Sequence, residues 1–86
     1  METDQILKKL QKIYSEAIGV EPREVSLHSD LREDLGVSDL ELAGIFSNIE
    51  NEFNIMLPER EIRLALQTGE LTTIGDIVEL IQEELE

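Results

Sequence analysis

Apolar residues recur every three to four positions along three stretches of this chain, and nowhere do they alternate convincingly with the period of two that a strand needs. That pattern restricts the fold to helices packed on helices. Over residues 4–18, Ile6, Leu10, Ile13, Tyr14 and Ala17 share one face and Lys8, Lys9 and Lys12 another, which predicts an amphipathic helix. Thr3 or Asp4 suits its start and Gly19 its stop. Over 39–53, Leu42, Ile45, Phe46, Ile49 and Phe53 make a wide apolar stripe. Ser38 followed three residues later by Glu41 is a capping box, and Asp39 and Glu41 put negative charge where the helix dipole favours it. Gly44 inside this helix costs about 1 kcal/mol relative to alanine, which a close approach by another backbone would explain. Pro58 opens a third helix, 59–67, with Ile62 and Leu66 inward and Arg60 and Arg63 outward, ended by Gly69. Thr72 or Thr73 caps a fourth that runs to about Leu85, burying Ile74, Ile77, Val78, Ile81 and Leu85.

The first two helices are joined by a long connection, 19–37, of a kind that often carries function. Pro22 sets a bend or a short helical turn there. Val25 and Leu27 are expected to pin the loop to the core, with Leu31 and Leu35 repeating the anchor, and Ser29 or Asp30 to open one helical turn before Gly36. The expected architecture is all-α: a small four-helix bundle with three long helices, one short helix and a long first loop. At 86 residues it is read as a single domain, 1–86.

Composition removes most chemistries. There is no cysteine and only one histidine, so thiolate chemistry and a multi-histidine metal site are excluded. His28 has no third group to orient it against a serine, and no glycine-rich phosphate loop is present, so an intrinsic enzyme is not expected. The formal charge is −13, and from Glu33 onward fourteen acids face only two bases, Arg60 and Arg63. Such a surface repels nucleic acid and anionic lipid and attracts basic protein surfaces, and its self-repulsion makes stability salt-sensitive. No signal peptide or membrane-spanning run is evident, so the expected location is the cytoplasm or an organelle matrix, cytoplasmic by default. The chain is expected to be a monomer.

The stretch Glu33-Asp34-Leu35-Gly36-Val37-Ser38-Asp39-Leu40-Glu41-Leu42, the helix end Glu52-Phe53, and then Leu57-Pro58 and Thr72-Thr73-Ile74 carry a specific pattern. It resembles the acyl carrier protein family, the phosphopantetheine-binding carrier domains, over nearly the whole chain. The family shows Asp-Leu-Gly, one variable residue, Asp-Ser-Leu, a helix ending in Glu-Glu-Phe, an Ile-Pro downstream and Thr-Thr-Val before its last helix. Residues 64–71 look like an insertion.

The resemblance implies a carrier fold, a 4'-phosphopantetheine arm on a serine at the start of the second helix, and docking to the basic patches of acyl-transferring, synthase and phosphopantetheinyl transferase enzymes, as in fatty acid or polyketide biosynthesis. Here the motif is exchanged, Ser38-Asp39-Leu40, which puts Asp39 at the attachment position, and a carboxylate cannot take the usual phosphodiester. Slipping the register by one residue would rotate the following helix by about 100° and misplace Ile45, Phe46, Ile49 and Phe53. Ser38, one position from the family site, is therefore both a helix cap and the candidate cofactor-binding hydroxyl. Glu41, Glu50 and Glu52 keep part of the acidic docking ladder, while Gly44 and Asn51 stand where acids are common. Two other readings stay open: an unmodified carrier-fold adaptor or regulator, and an unrelated acidic helical module.

Overall fold

Residues 1–86 are described by the computed structural model, in which four helices follow one another in the order expected: α1 Thr3–Ile18, α2 Asp39–Phe53, α3 Glu59–Thr68 and α4 Ile74–Leu85, with one 3-10 turn, Pro22–Glu24, after α1. No strand forms; a single bridge joins Asp30 and Thr73. Each helix end has a local cause. The N-cap of α1 is Glu2 rather than Thr3 or Asp4, because Gln5 reaches back to accept the Glu2 N–H at 3.0 Å. α1 and α3 stop at Gly19 and Gly69, both left-handed at φ 76° and 83°, where a side chain would be strained. α2 stops at Asn54, the one non-glycine residue with positive φ.

α1 packs on α2 and α4, and Ile6, Leu10, Tyr14, Val25, Ile49, Ile74, Ile77 and Ile81 are fully buried between them. Phe46 and Phe53 face inward. Burying one such side chain contributes roughly 1.5–3 kcal/mol, so this cluster is the main source of stability. Three residues expected inside are exposed. Ala17 lies in the last turn of α1, over a shallow groove against α2, and Leu85 ends α4 where no neighbour covers it. Leu27 holds the loop by its backbone carbonyl instead of its side chain. Leu66 is only half-buried. Tyr14 packs in the core with its hydroxyl unpartnered, and burial pushes that hydroxyl's pKa up.

The long loop is strapped to the start of α4. Leu31 N–H donates to Thr72 O (2.9 Å), Ile74 N–H to Ser29 O (3.0 Å) and Gly75 N–H to Leu27 O (2.9 Å). Gly75 is required here, since a Cβ would stand 2.9 Å from the Leu27 carbonyl oxygen. Gly44 shows no such reason: a Cβ there would meet nothing within 4 Å, so the close backbone approach expected from sequence is absent. Val25, Leu31 and Leu35 are buried as expected. Asp30 opens the turn over 31–35 by accepting the N–H groups of Arg32 (2.9 Å) and Glu33 (2.8 Å), which hold its carboxyl below the ordinary carboxylate range. Gly36, at φ 64°, closes that turn and delivers the chain to α2.

Candidate functional site

The start of α2 gathers the residues singled out from sequence. Ser38 is its N-cap, in extended backbone at φ −79° and ψ 164°, and its side chain is exposed. Its Oγ accepts the Glu41 N–H at 3.2 Å and donates to Glu41 Oε1 at 2.9 Å, while the Ser38 N–H donates to the same Oε1 at 3.1 Å. The capping box is therefore closed at every donor it can satisfy. Asp39 follows, its side chain 85% exposed, with Arg32 Nη2 of the loop donating to Oδ1 at 3.2 Å. Leu40 is also 85% exposed, an apolar side chain left in water beside the cap. The N–H groups of Asp39 and Leu40 have no acceptor and point out of the helix end.

The three acids of the expected ladder each have a partner within the molecule. Glu41 closes the Ser38 cap. Glu50, half-buried, accepts the Leu57 N–H at 3.0 Å and so ties the crossover after α2 back to the helix. Glu52 accepts Lys9 Nζ at 3.1 Å, and that ammonium also lies 5.8 Å from the Phe53 ring centre. Both charges of the Lys9–Glu52 pair are substantially exposed, which limits it to about 0–1 kcal/mol. Spacing on one helix could not reveal these partners, because Lys9 and Leu57 come from other segments. Arg32 was missed for the same reason; its only signal is being the last base before the long acidic part of the chain. His28 is exposed in the loop, and no group of three or more acidic or histidine side chains is placed to hold a metal ion.

A family model described as the phosphopantetheine attachment site matches residues 8–81. An acyl carrier protein of Thermotoga maritima is 29% identical over 82 residues, 95% of this chain and 94% of that one. One from Cylindrotheca sp. is 32% identical over 79 residues, covering 92% and 91%. A third, from Exiguobacterium sibiricum, is 29% identical over 85 residues, covering 99% and 100%. The chain belongs to the acyl carrier protein family.

Acyl carrier proteins are carriers rather than enzymes, and the group that defines the family is 4'-phosphopantetheine. Whether these residues suit that group can be tested on the start of α2. Asp39 does not: its exposed carboxylate offers no hydroxyl to esterify and is already paired with Arg32. Ser38 does. Its hydroxyl is accessible, its proton already points at a carboxylate, and the two free N–H groups of Asp39 and Leu40 stand at a helix end that favours a phosphate. The Glu41 and Asp39 carboxylates oppose a second negative charge there, an opposition that Arg32 partly offsets. No helix of the chain is long and apolar enough to cross a membrane.

Proposed function

We propose that residues 1–86 act as one carrier domain that bears its phosphopantetheine arm on Ser38, one residue ahead of the usual position, and presents the acyl group to enzymes through an acidic surface. The observation that carries this reading is the exposed Ser38 hydroxyl at the start of α2, hydrogen-bonded to Glu41 and next to unpaired helix N–H groups. When bound, the arm supplies a thiol that holds an acyl group as a thioester. The protein's own residues do the rest. Glu41 orients the hydroxyl and accepts its hydrogen bond, Arg32 neutralises Asp39, and exposed Leu40 gives a docking enzyme an apolar foothold next to the site. Glu41, Glu50 and Glu52 are the acids offered to basic partner surfaces such as those of synthases and phosphopantetheinyl transferases. Glu41 and Glu52 are exposed, so they carry more of that contact than half-buried Glu50. A net charge of −13 favours a monomer through self-repulsion.

Co-expression with a panel of phosphopantetheinyl transferases, followed by intact-mass measurement, tests the assignment. The expected result is a mass gain of one arm that disappears in Ser38→Ala. An unmodified mass with every transferase would sink it. Asp39 at the family's attachment position supports a second reading, an adaptor of carrier fold that never bears the arm. On that reading wild type stays unmodified, and Ser38→Asp made together with Asp39→Ser gains the arm without a change of fold.

A further inference from the structure

α2 carries two rows of side chains on its two flanks. Asp39, Leu42, Ala43 and Phe46, at i, i+3, i+4 and i+7, line a cleft toward α3. Glu41, Gly44, Ile45 and Asn48 follow the same spacing and line an open groove of about 400 Å³ toward the last turn of α1. Ser38 belongs to the second row: it stands three residues before Glu41, and its Oγ donates to Glu41 Oε1 at 2.9 Å. One step along a helix turns a side chain by about 100°. The exchange of Ser38 and Asp39 therefore carries the hydroxyl from the α3 flank to the α1 flank. A phosphate there stands between the Glu41 and Asp39 carboxylates on either flank, so charge does not choose between them. The direction in which the side chain leaves the helix does.

The groove also suits the arm. Its volume falls within the roughly 300–1,000 Å³ of pockets that take a ligand of that size. Ala17 and Ile18 give it one apolar wall, while Ser47 and Asn48 are exposed on the other and can bond the two amide groups of pantetheine. Gly44 leaves the space between them open, since even a Cβ there would stand clear of every neighbour. Resting on attachment at Ser38, we propose that the arm lies back along the groove between α1 and α2, over Gly44, and not along the cleft between α2 and α3.

Amide chemical shifts of the full chain, compared before and after loading in protein whose mass shows the arm, test this. Asn48 is decisive because it stands ten residues beyond Ser38, roughly 15 Å along the axis, too far to sense attachment alone. Shifts are expected at Ala17, Ile18 and Asn48, with NOEs from the arm's methyl protons to Ala17 and Ile18, and none at Ile62 and Leu66 of α3. Ser38→Asp made together with Asp39→Ser should move the shifts to Ile62 and Leu66. Filling the groove from either wall, by Gly44→Leu or Ala17→Gln, should abolish the Asn48 shift in loaded protein. A loaded wild type that shifts Ile62 and Leu66 instead, or neither set, would overturn the placement and leave attachment at Ser38 standing. An Asn48 shift unchanged in both filled variants would overturn it as well. A wild type that no transferase loads overturns the Ser38 reading itself, and the placement falls with it.

Discussion

Two helices of this molecule start with the same local chemistry and are held in different ways. α2 begins with Ser38 accepting the Glu41 N–H, and α4 begins with Thr73 accepting the Asp76 N–H, both at 3.2 Å. In each case the acid at the third helical position reaches back to the cap's own N–H, at 3.1 Å in both. What differs is the surroundings. The start of α4 is clasped by the long loop through Ser29, Leu27 and Leu31, and Asp76 takes a further N–H from Thr72 at 2.9 Å. Outside its own box, the Ser38 end is approached by the single Arg32–Asp39 pair and is otherwise open to water. A capping box therefore marks where a helix starts, while neighbouring backbone decides whether that start is enclosed or left open to water.

The largest effect should come from breaking the clasp. Gly75→Ala places a Cβ 2.9 Å from the Leu27 carbonyl oxygen, a backbone atom that cannot swing aside. Relief requires the loop to lift from α4, so a loss of about 1–3 kcal/mol is expected in urea unfolding. Gly44→Ala is the matched change in α2, where a Cβ meets nothing within 4 Å, and there a gain of about 1 kcal/mol is expected. A loss at both glycines would mean that α2 has a close neighbour too, and the contrast between the two helices would fail.

Next is the α4 cap itself. Thr73→Ala removes the acceptor for the Asp76 N–H in a half-buried setting and should cost about 1–2 kcal/mol. The charge of Asp76 contributes through pH. Partial burial alone would raise its pKa, but the Thr72 and Thr73 amides and hydroxyls together hold it below its usual 3.8. A depressed carboxylate contributes stability that is full above its unfolded value and is lost as pH falls through its folded value. Wild type should therefore exceed Asp76→Asn in stability at neutral pH, with the gap closing as the pH drops below about 4. Neutralisation of the other acids affects both proteins alike and cancels in that difference. A gap unchanged down to pH 2 would show that the Asp76 charge plays no part in the clasp.

The contrast between the two helix starts was only half legible in the sequence. Both caps could be read, because Ser38 with Glu41, and Thr73 with a helical pattern behind it, are local signals. So could the core, since Ile6, Leu10, Phe46, Phe53 and Ile77 follow the helical period that burial selects. The clasp could not, because it is made by the carbonyls of Leu27 and Ser29, and a main-chain oxygen leaves no mark in residue type. Leu27 illustrates this: its apolar side chain suggested an anchor, yet the side chain is exposed and its carbonyl holds the loop. The partners of Glu50 and Glu52 were hidden for a related reason, since Leu57 and Lys9 meet them only once the helices have packed. At the start of α2, Ser38 and Asp39 were legible as cap and first-turn acid, while the Arg32 pair to Asp39 depends on how the 31–35 turn folds back.

The smallest effect is expected at Ser38, and its smallness is informative. Ser38→Ala removes one cap acceptor and one hydroxyl donor, both exposed, so water can replace each. A loss of about 0.5–1 kcal/mol is expected, the low end of the range for caps and below that of Thr73→Ala. The two variants should be compared by urea unfolding in one buffer, because a chain of this charge changes stability with salt. If Ser38→Ala costs as much as Thr73→Ala, the hydroxyl is held as firmly as its counterpart on α4, and committing it to an arm would destabilise the fold by a similar amount. If it costs less, the molecule tolerates loss of that cap, which is what a hydroxyl available for modification requires.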